Sequence, residues 1–379
     1  MSFTPSNPND TATPSDHPSG NDLAPARLTW LTELDPWALL AAVRFVLAGV
    51  VAVNHLGDYV PLGALAWVQA VTFEAILGFL LISGYAIGAS YRRSPDGFIG
   101  RRVRRIYPVY LLSMALTWYA TAWVLKQPVP GFGELLINLL LLNQVFTTTS
   151  FVGPAWSLAL ECWLYLLTPW LARAEGRRLR DLVIVSFVAY LAYTVMRSML
   201  DWPYYSGLGY GGNLLVLSFA WVAGFRLAQP GPALLVALAD VRLLFAAHVM
   251  WGAALQLAWR IKHDAVSLFF SDDLVPAALK ALLLFLVYTV FACGVLQARP
   301  KAGGARWLNR LGDVSYPLFL MHIPVFIVLA QAGWKSRTMY VLGALATACL
   351  SLALLYAAHA VWVRLTRTMS GQLRRRPGA

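Results

Sequence analysis

The sequence predicts an all-α fold: a polytopic membrane bundle of about ten transmembrane helices with both termini in the cytoplasm. Three observations predict it. Of the 379 residues, 59% are hydrophobic and only 13% charged, with a mean hydropathy of +0.60, whereas a soluble domain carries about a quarter of its residues as charges. Apolar stretches long enough to cross about 30 Å of hydrocarbon recur from Trp37 almost to the end. The basic residues fall in alternate loops.

The chain opens on a polar tail, residues 1–30, rich in Ser, Thr, Pro, Asn and Asp, with no Lys or Arg before Arg27. It lacks the basic start and apolar centre of a cleaved signal peptide and reads as a disordered, retained segment. The membrane domain follows over 31–366. Its ten candidate spans run roughly from 37 to 56, 67 to 89, 106 to 125, 152 to 172, 182 to 200, 213 to 228, 241 to 259, 277 to 297, 312 to 332 and 340 to 363. A shorter apolar piece, about 134 to 146, reads as a re-entrant or interfacial helix. A basic tail, 367–379, closes the chain. No inverted repeat of the transporter kind is present in the sequence.

Orientation follows from the arginines. The loop after the second span holds Arg92, Arg93, Arg101, Arg102, Arg104 and Arg105, and the loop after the fourth holds Arg173, Arg177, Arg178 and Arg180. The later loops of the same parity, and the tail, continue the pattern, so these segments are expected inside. The same rule accounts for the net charge of +12 without nucleic acid. Cys162, Cys293 and Cys349 lie in apolar stretches at irregular spacing, which suggests packing rather than a disulfide framework or a zinc site.

An ionisable side chain inside hydrocarbon is costly unless it meets a partner or water, so such residues are functional candidates. Arg44 and His55 in the first span stand eleven residues apart, on one helical face and about 16 Å apart along the axis. A purely structural reading has Arg44 snorkelling inward and His55 capping the outer end beside Asp58. Glu74, in the second span, reads as a buried hydrogen-bond partner, and Gly84 as a point of close helix approach. Arg101, Arg102, Arg104 and Arg105 could form a phosphate receptor at a cytoplasmic mouth or serve topology and anionic lipid. Ser157, Glu161 and Tyr165 share one face of the fourth span. Ser315, Tyr316 and His322 enter the ninth. His248 and His359 have no polar company at helical spacing and read as packing or pore-lining residues. Trp202, Tyr204, Tyr205 and Tyr210 read first as interfacial anchors and second as a platform for a sugar ring.

Taken together, these pieces resemble the acyltransferase-3 family of integral membrane acyltransferases, from about Val43 to Val361. The resemblance is carried by Arg44 and His55 with ten residues between them, by Phe79 to Tyr85 ending in Ser83-Gly84, and by Arg101 to Pro108. It is completed by Trp156-Ser157-Leu158 with Glu161, Tyr165 and Pro169, and by Gly312, Ser315-Tyr316, Leu320, His322 and Pro324. It implies a membrane O-acyltransferase that moves an acyl group, acetyl first, from cytosolic acyl-CoA to a hydroxyl of a glycan, glycolipid or natural product. The expected form is stand-alone, without the extra hydrolase-like domain of many bacterial members, and it sits in a bacterial inner membrane. Its implied catalytic set is His55 as base, Arg44 and Glu161, with Arg101, Arg102 and Arg105 on the CoA phosphates. Ser157, Tyr165, Tyr316 and His322 line the substrate path, and no metal is needed. Expected partners are membrane lipid and the acceptor, with no nucleic acid. The competing class is a transporter or flippase of a lipid-linked sugar, which the five-motif match and the missing repeat disfavour.

Overall fold

The computed structural model of the chain describes residues 36–229, 234–296 and 306–374. The polar tail and the last residues of the basic tail lie outside the described residues. Each of the ten apolar stretches is helical. The helices are α1 (Pro36–Leu56), α2 (Thr72–Arg93), α3 (Phe98–Tyr119), the short α4 (Phe132–Leu139), α5 (Ala155–Leu171) and α6 (Gly176–Leu200). They continue with α7 (Gly212–Leu227), α8 (Leu234–Lys262), α9 (Leu274–Leu296), α10 (Arg306–Gln331) and α11 (Arg337–Arg374). A 3-10 helix, Gly63–Val71, leads into α2. The described residues contain no strand.

Among the described residues seven helical segments are long and apolar enough to cross a membrane, among them Gly63–Arg93 and Val266–Leu296, which makes the chain a multi-pass integral membrane protein. The other three predicted spans differ for readable reasons. Helix α3 begins at Phe98, so its first two turns carry four arginines. Helices α5 and α7 have 17 and 16 residues, short of the roughly 20 that a simple crossing needs. The expected helix at 134 to 146 is only Phe132–Leu139; Leu141 and Gln144 take positive φ and end it.

The interior is organised around α1, α2, α7 and α10. Helix α10 packs along α1, and α2 along α7. Helix α7 is predominantly apolar and eleven of its 16 residues are buried, including Trp221, Phe219 and Phe225, as expected of a core helix. The approach of α2 to α7 depends on two glycines. A Cβ on Gly84 would stand 1.9 Å from the Trp221 carbonyl oxygen, and one on Gly224 would stand 2.0 Å from that of Leu81. Only a missing side chain allows the two backbones so close. The outer helices α6, α8, α9 and α11 instead leave most of their apolar surface outward, where lipid is as good a solvent as protein.

Candidate active site

Helices α1 and α2 run antiparallel, which brings the start of α1 to the same end as Arg93 and the first turns of α3. There a cavity of about 350 Å³ opens between α1, α2, α3 and α10. Its wall includes Arg44, Arg93, Arg102 and Arg105, and Asp313 is the only carboxylate among the described residues that line it. Four guanidiniums against one acid leave a positive cavity, and planar permanently charged donors suit phosphate. Arg102 is held in place: its Nη2 donates to Ser90 Oγ, its guanidinium lies 5.4 Å over the Phe98 ring, and its Nε is buried with no partner.

Arg44 also lines a second, deeper cavity of about 50 Å³, with Ser83, Ser157, Glu161, Ser315, Tyr316 and Phe319. It is thus the one arginine shared by the mouth and this interior pocket. Its Nε is buried without a hydrogen-bond partner, and it forms no ion pair with any described residue. Glu161 Oε1 accepts from the Ser83 hydroxyl and from Tyr165, at 2.6 Å. The helical spacing of Glu161 and Tyr165 therefore closes a direct bond, and the Ser-Gly stretch of α2 supplies its partner from across the interface. Ser157 donates to the Pro154 carbonyl, and Tyr316 donates to the Ile106 carbonyl at 3.1 Å, tying α10 to α3 beside the pocket. Gly312 lets α10 lie on α1, since a Cβ there would meet that of Ala41 at 2.5 Å.

His55 lies about three turns further along α1, away from Glu161. Its ring stacks on His322 of α10, with centroids 5.4 Å apart, and Asp58 Oδ2 stands 3.6 Å from Nδ1, beyond direct hydrogen-bond reach. His322 is fully buried. Its Nδ1 donates to the Leu318 carbonyl at 3.0 Å, which places the ring proton there and leaves Nε2 as the lone-pair nitrogen. That Nε2 is buried and has no partner.

The predicted residues thus fall into two groups. Arg44, Glu161, Ser157, Tyr165 and Tyr316 gather around the interior pocket, with Arg102 and Arg105 at its mouth. His55 and His322 pair at the far end. Helix α2 packs against both α1 and α5, so Glu161 meets Ser83 rather than His55 and does not orient it. Arg101 turns away from the mouth and donates to the backbone carbonyls of Asp96 and Ser94. Arg93, not singled out from sequence, takes a place in the wall; its position in the six-arginine loop was the only signal. Among the described residues no group of three His, Cys, Asp or Glu side chains could hold a metal.

An apolar bundle with an arginine-lined mouth, and one buried arginine shared with a pocket that holds a carboxylate, defines a multi-pass membrane protein with a polar site in its interior. The chain belongs to the acyltransferase-3 family: the model of its acyltransferase domain matches residues 33–358. It is similar to the protein named "Putative acetyltransferase ORF330" of the Acidianus two-tailed virus, 21% identical over 268 residues covering 70% of this chain and 75% of the relative. It is also similar to Nodulation protein 10 of Rhizobium leguminosarum bv. viciae, 25% identical over 334 residues covering 79% of this chain and 85% of the relative. No solved structure matches it significantly.

Proposed function

We propose that the protein transfers an acyl group, acetyl first, from cytosolic acyl-CoA to a hydroxyl of a glycan, glycolipid or natural product at the opposite face of a bacterial inner membrane. The observation that carries this reading is Arg44: buried at Nε, unpaired, and common to the arginine-lined mouth and the Glu161 pocket. Arg93, Arg102 and Arg105 hold the CoA phosphates at the mouth, a role that Arg101 does not share. The count of basic residues puts that mouth on the cytoplasmic side, where acyl-CoA is made. Arg44 then receives a phosphate of the donor, and the thioester reaches on along α1 toward His55.

His55 accepts the proton of the acceptor hydroxyl as its oxygen attacks the thioester carbon. The C–S bond breaks and the proton passes on to the departing thiolate. His322 positions the His55 ring by stacking, and Glu161 organises the Arg44 pocket through Ser83 and Tyr165. The acyl group travels about 16 Å along α1 between Arg44 and His55, so a long flexible donor arm suits the spacing.

The test is a thermal-shift titration of detergent-purified protein with acetyl-CoA and succinyl-CoA beside an Arg102→Ala, Arg105→Ala double variant. Saturable stabilisation of the native protein is expected. In the double variant the apparent affinity falls at least tenfold, from the loss of charge-assisted bonds worth roughly 1.5–3 kcal/mol each when desolvated and less at an open mouth. Folded protein indifferent to both donors would return the argument to the transporter reading.

A further inference from the structure

A cavity of about 820 Å³ lies outside the arginine pathway, between α2, α6, α8 and the 205–207 turn. We propose that this chamber binds the acyl acceptor and that the acceptor it takes is a carbohydrate. The assignment rests on the acyl-transfer reading above.

The chamber is built around a buried polar chain that joins three helices. Glu74, 1% exposed, is held through Oε1 by His248 Nε2 at 3.1 Å, and His248 Nδ1 lies 2.7 Å from the Tyr190 hydroxyl. One tautomer satisfies every contact: Nε2–H donates to the carboxylate, and Nδ1 accepts from the phenol. Glu74 Oε2 is left buried with no partner, and so is Arg197 Nε. Both residues line the chamber. A buried acceptor and a buried donor without partners cost stability unless a ligand meets them. A sugar hydroxyl, donor and acceptor at once, meets both kinds.

The remaining walls fit the same class of ligand. Phe73, Tyr204, Tyr205 and Trp259 add aromatic surface to the wall, apolar patches for the C–H groups of a sugar. Between them are short polar side chains, among them Thr194, Ser198 and Gln256. This mixture of aromatic planes and convergent polar groups, at this volume, is that of a ligand pocket. It does not suit the polyphosphate of CoA. Of the three cations in its described lining, Arg197 is covered by the Tyr204 and Tyr205 rings, 5.0 and 4.8 Å away, and Arg260 is taken by Asp273 in two bonds, so a polyphosphate would meet Lys280 alone. A lipid tail would find the lining too polar. Asn54, one residue before His55 on α1, lines the chamber, so one wall of it belongs to the helix that carries the proposed base.

Gly252, on α8, lines the chamber and has nothing within 4 Å of where a Cβ would stand. Gly252→Cys, in protein with Cys162, Cys293 and Cys349 replaced by Ser, places a thiol inside it. Native membranes supply the acceptor, radiolabelled acetyl-CoA and succinyl-CoA are the donors, and label entering the glycan and lipid fractions is the readout. Blocking the thiol with sulfonatoethyl methanethiosulfonate should lower transfer at least tenfold against the same protein unblocked. Dithiothreitol should restore it, and stabilisation by the donor should not change. Ser198→Cys repeats the test from α6, should the first variant fold poorly. Undiminished transfer with the thiol fully modified overturns the proposal. So does loss of transfer together with donor binding, which would make the chamber a donor or structural element. Wild-type protein that neither binds nor transfers either donor fails the acyl-CoA reading itself, and the acceptor assignment falls with it.

Discussion

The two polar regions of this bundle treat buried charge in opposite ways. In the arginine pathway the charges do not balance: four guanidiniums face one carboxylate at the mouth, and Arg44 has no ion pair among the described residues. In the chamber beside α6 and α8 the groups largely satisfy one another, with His248 bridging Glu74 and Tyr190 and only single atoms left open. An unbalanced cluster calls for a ligand that brings charge. A nearly satisfied network with isolated open atoms calls for one that brings hydrogen bonds. The difference in volume agrees, since the interior pocket next to Arg44 is about 50 Å³ and the chamber about 820 Å³. One is a narrow passage, the other a room.

The largest expected effect lies at the proposed base, His55, on the helix that contributes Arg44 to the passage and Asn54 to the chamber. His55→Ala should lower acyl transfer by about 10²- to 10⁴-fold, the range of a lost general base, while stabilisation by acetyl-CoA is retained. A thermal-shift titration run beside the transfer assay checks this. If His55→Ala also abolished donor binding, the division of labour between passage and chamber would be broken. His322→Ala should give a smaller loss of turnover with donor affinity unchanged, because it removes the stacked support and not the base.

Next in size is the seam that holds α2, and with it Ser83 and Glu74, in place. Gly84→Ala drives a methyl group to 1.9 Å from the Trp221 carbonyl oxygen, whereas Gly252→Ala meets nothing within 4 Å. Overpacking of this kind costs about 1–3 kcal/mol. A clear fall in melting temperature is expected for the first variant and little change for the second. Equal melting temperatures would mean that α2 and α7 are not packed as described.

The sequence made some of this legible and hid the rest for physical reasons. The ten apolar stretches are all helical because hydropathy reports burial in lipid or protein alike. For the same reason it could not say that α7 is an interior helix, or which stretches become helices with the length and composition to cross, seven among the described residues. The Arg44 pathway was readable in part, since Glu161 and Tyr165 are neighbours on one helix. That Ser83 completes the group, and that α2 separates Glu161 from His55, depends on helix neighbours that no spacing encodes. The chamber was legible only in fragments: Glu74 read as a buried hydrogen-bond partner, and Tyr204 and Tyr205 read second as a sugar platform. Glu74, Tyr190, Arg197 and His248 come from three helices, and no spacing joined them. His248 had no polar company on its own helix, and its partners come from α2 and α6.

The smallest expected effect separates residues that the sequence treats as equals. Arg101, Arg102 and Arg105 share one run, yet Arg101 is occupied with the Asp96 and Ser94 carbonyls while the other two face the mouth. Arg101→Ala should therefore change donor affinity less than about twofold, within the ordinary range for a surface substitution of roughly 0.5 kcal/mol. Arg102→Ala, which also strips the Phe98 ring and Ser90 of their partner, should cost more than Arg105→Ala. Raising salt from 50 to 500 mM should weaken donor binding by the native protein and narrow the gap to the Arg102→Ala, Arg105→Ala double variant, because exposed guanidiniums at an open mouth are screened. Transfer measured against acceptor concentration, at saturating donor, should be far less sensitive to the same salt, since the chamber recognises its ligand by hydrogen bonds. A salt dependence equally steep for both substrates would mean that the acceptor is itself an anion, and would move Arg197 from a hydroxyl partner to a charge partner.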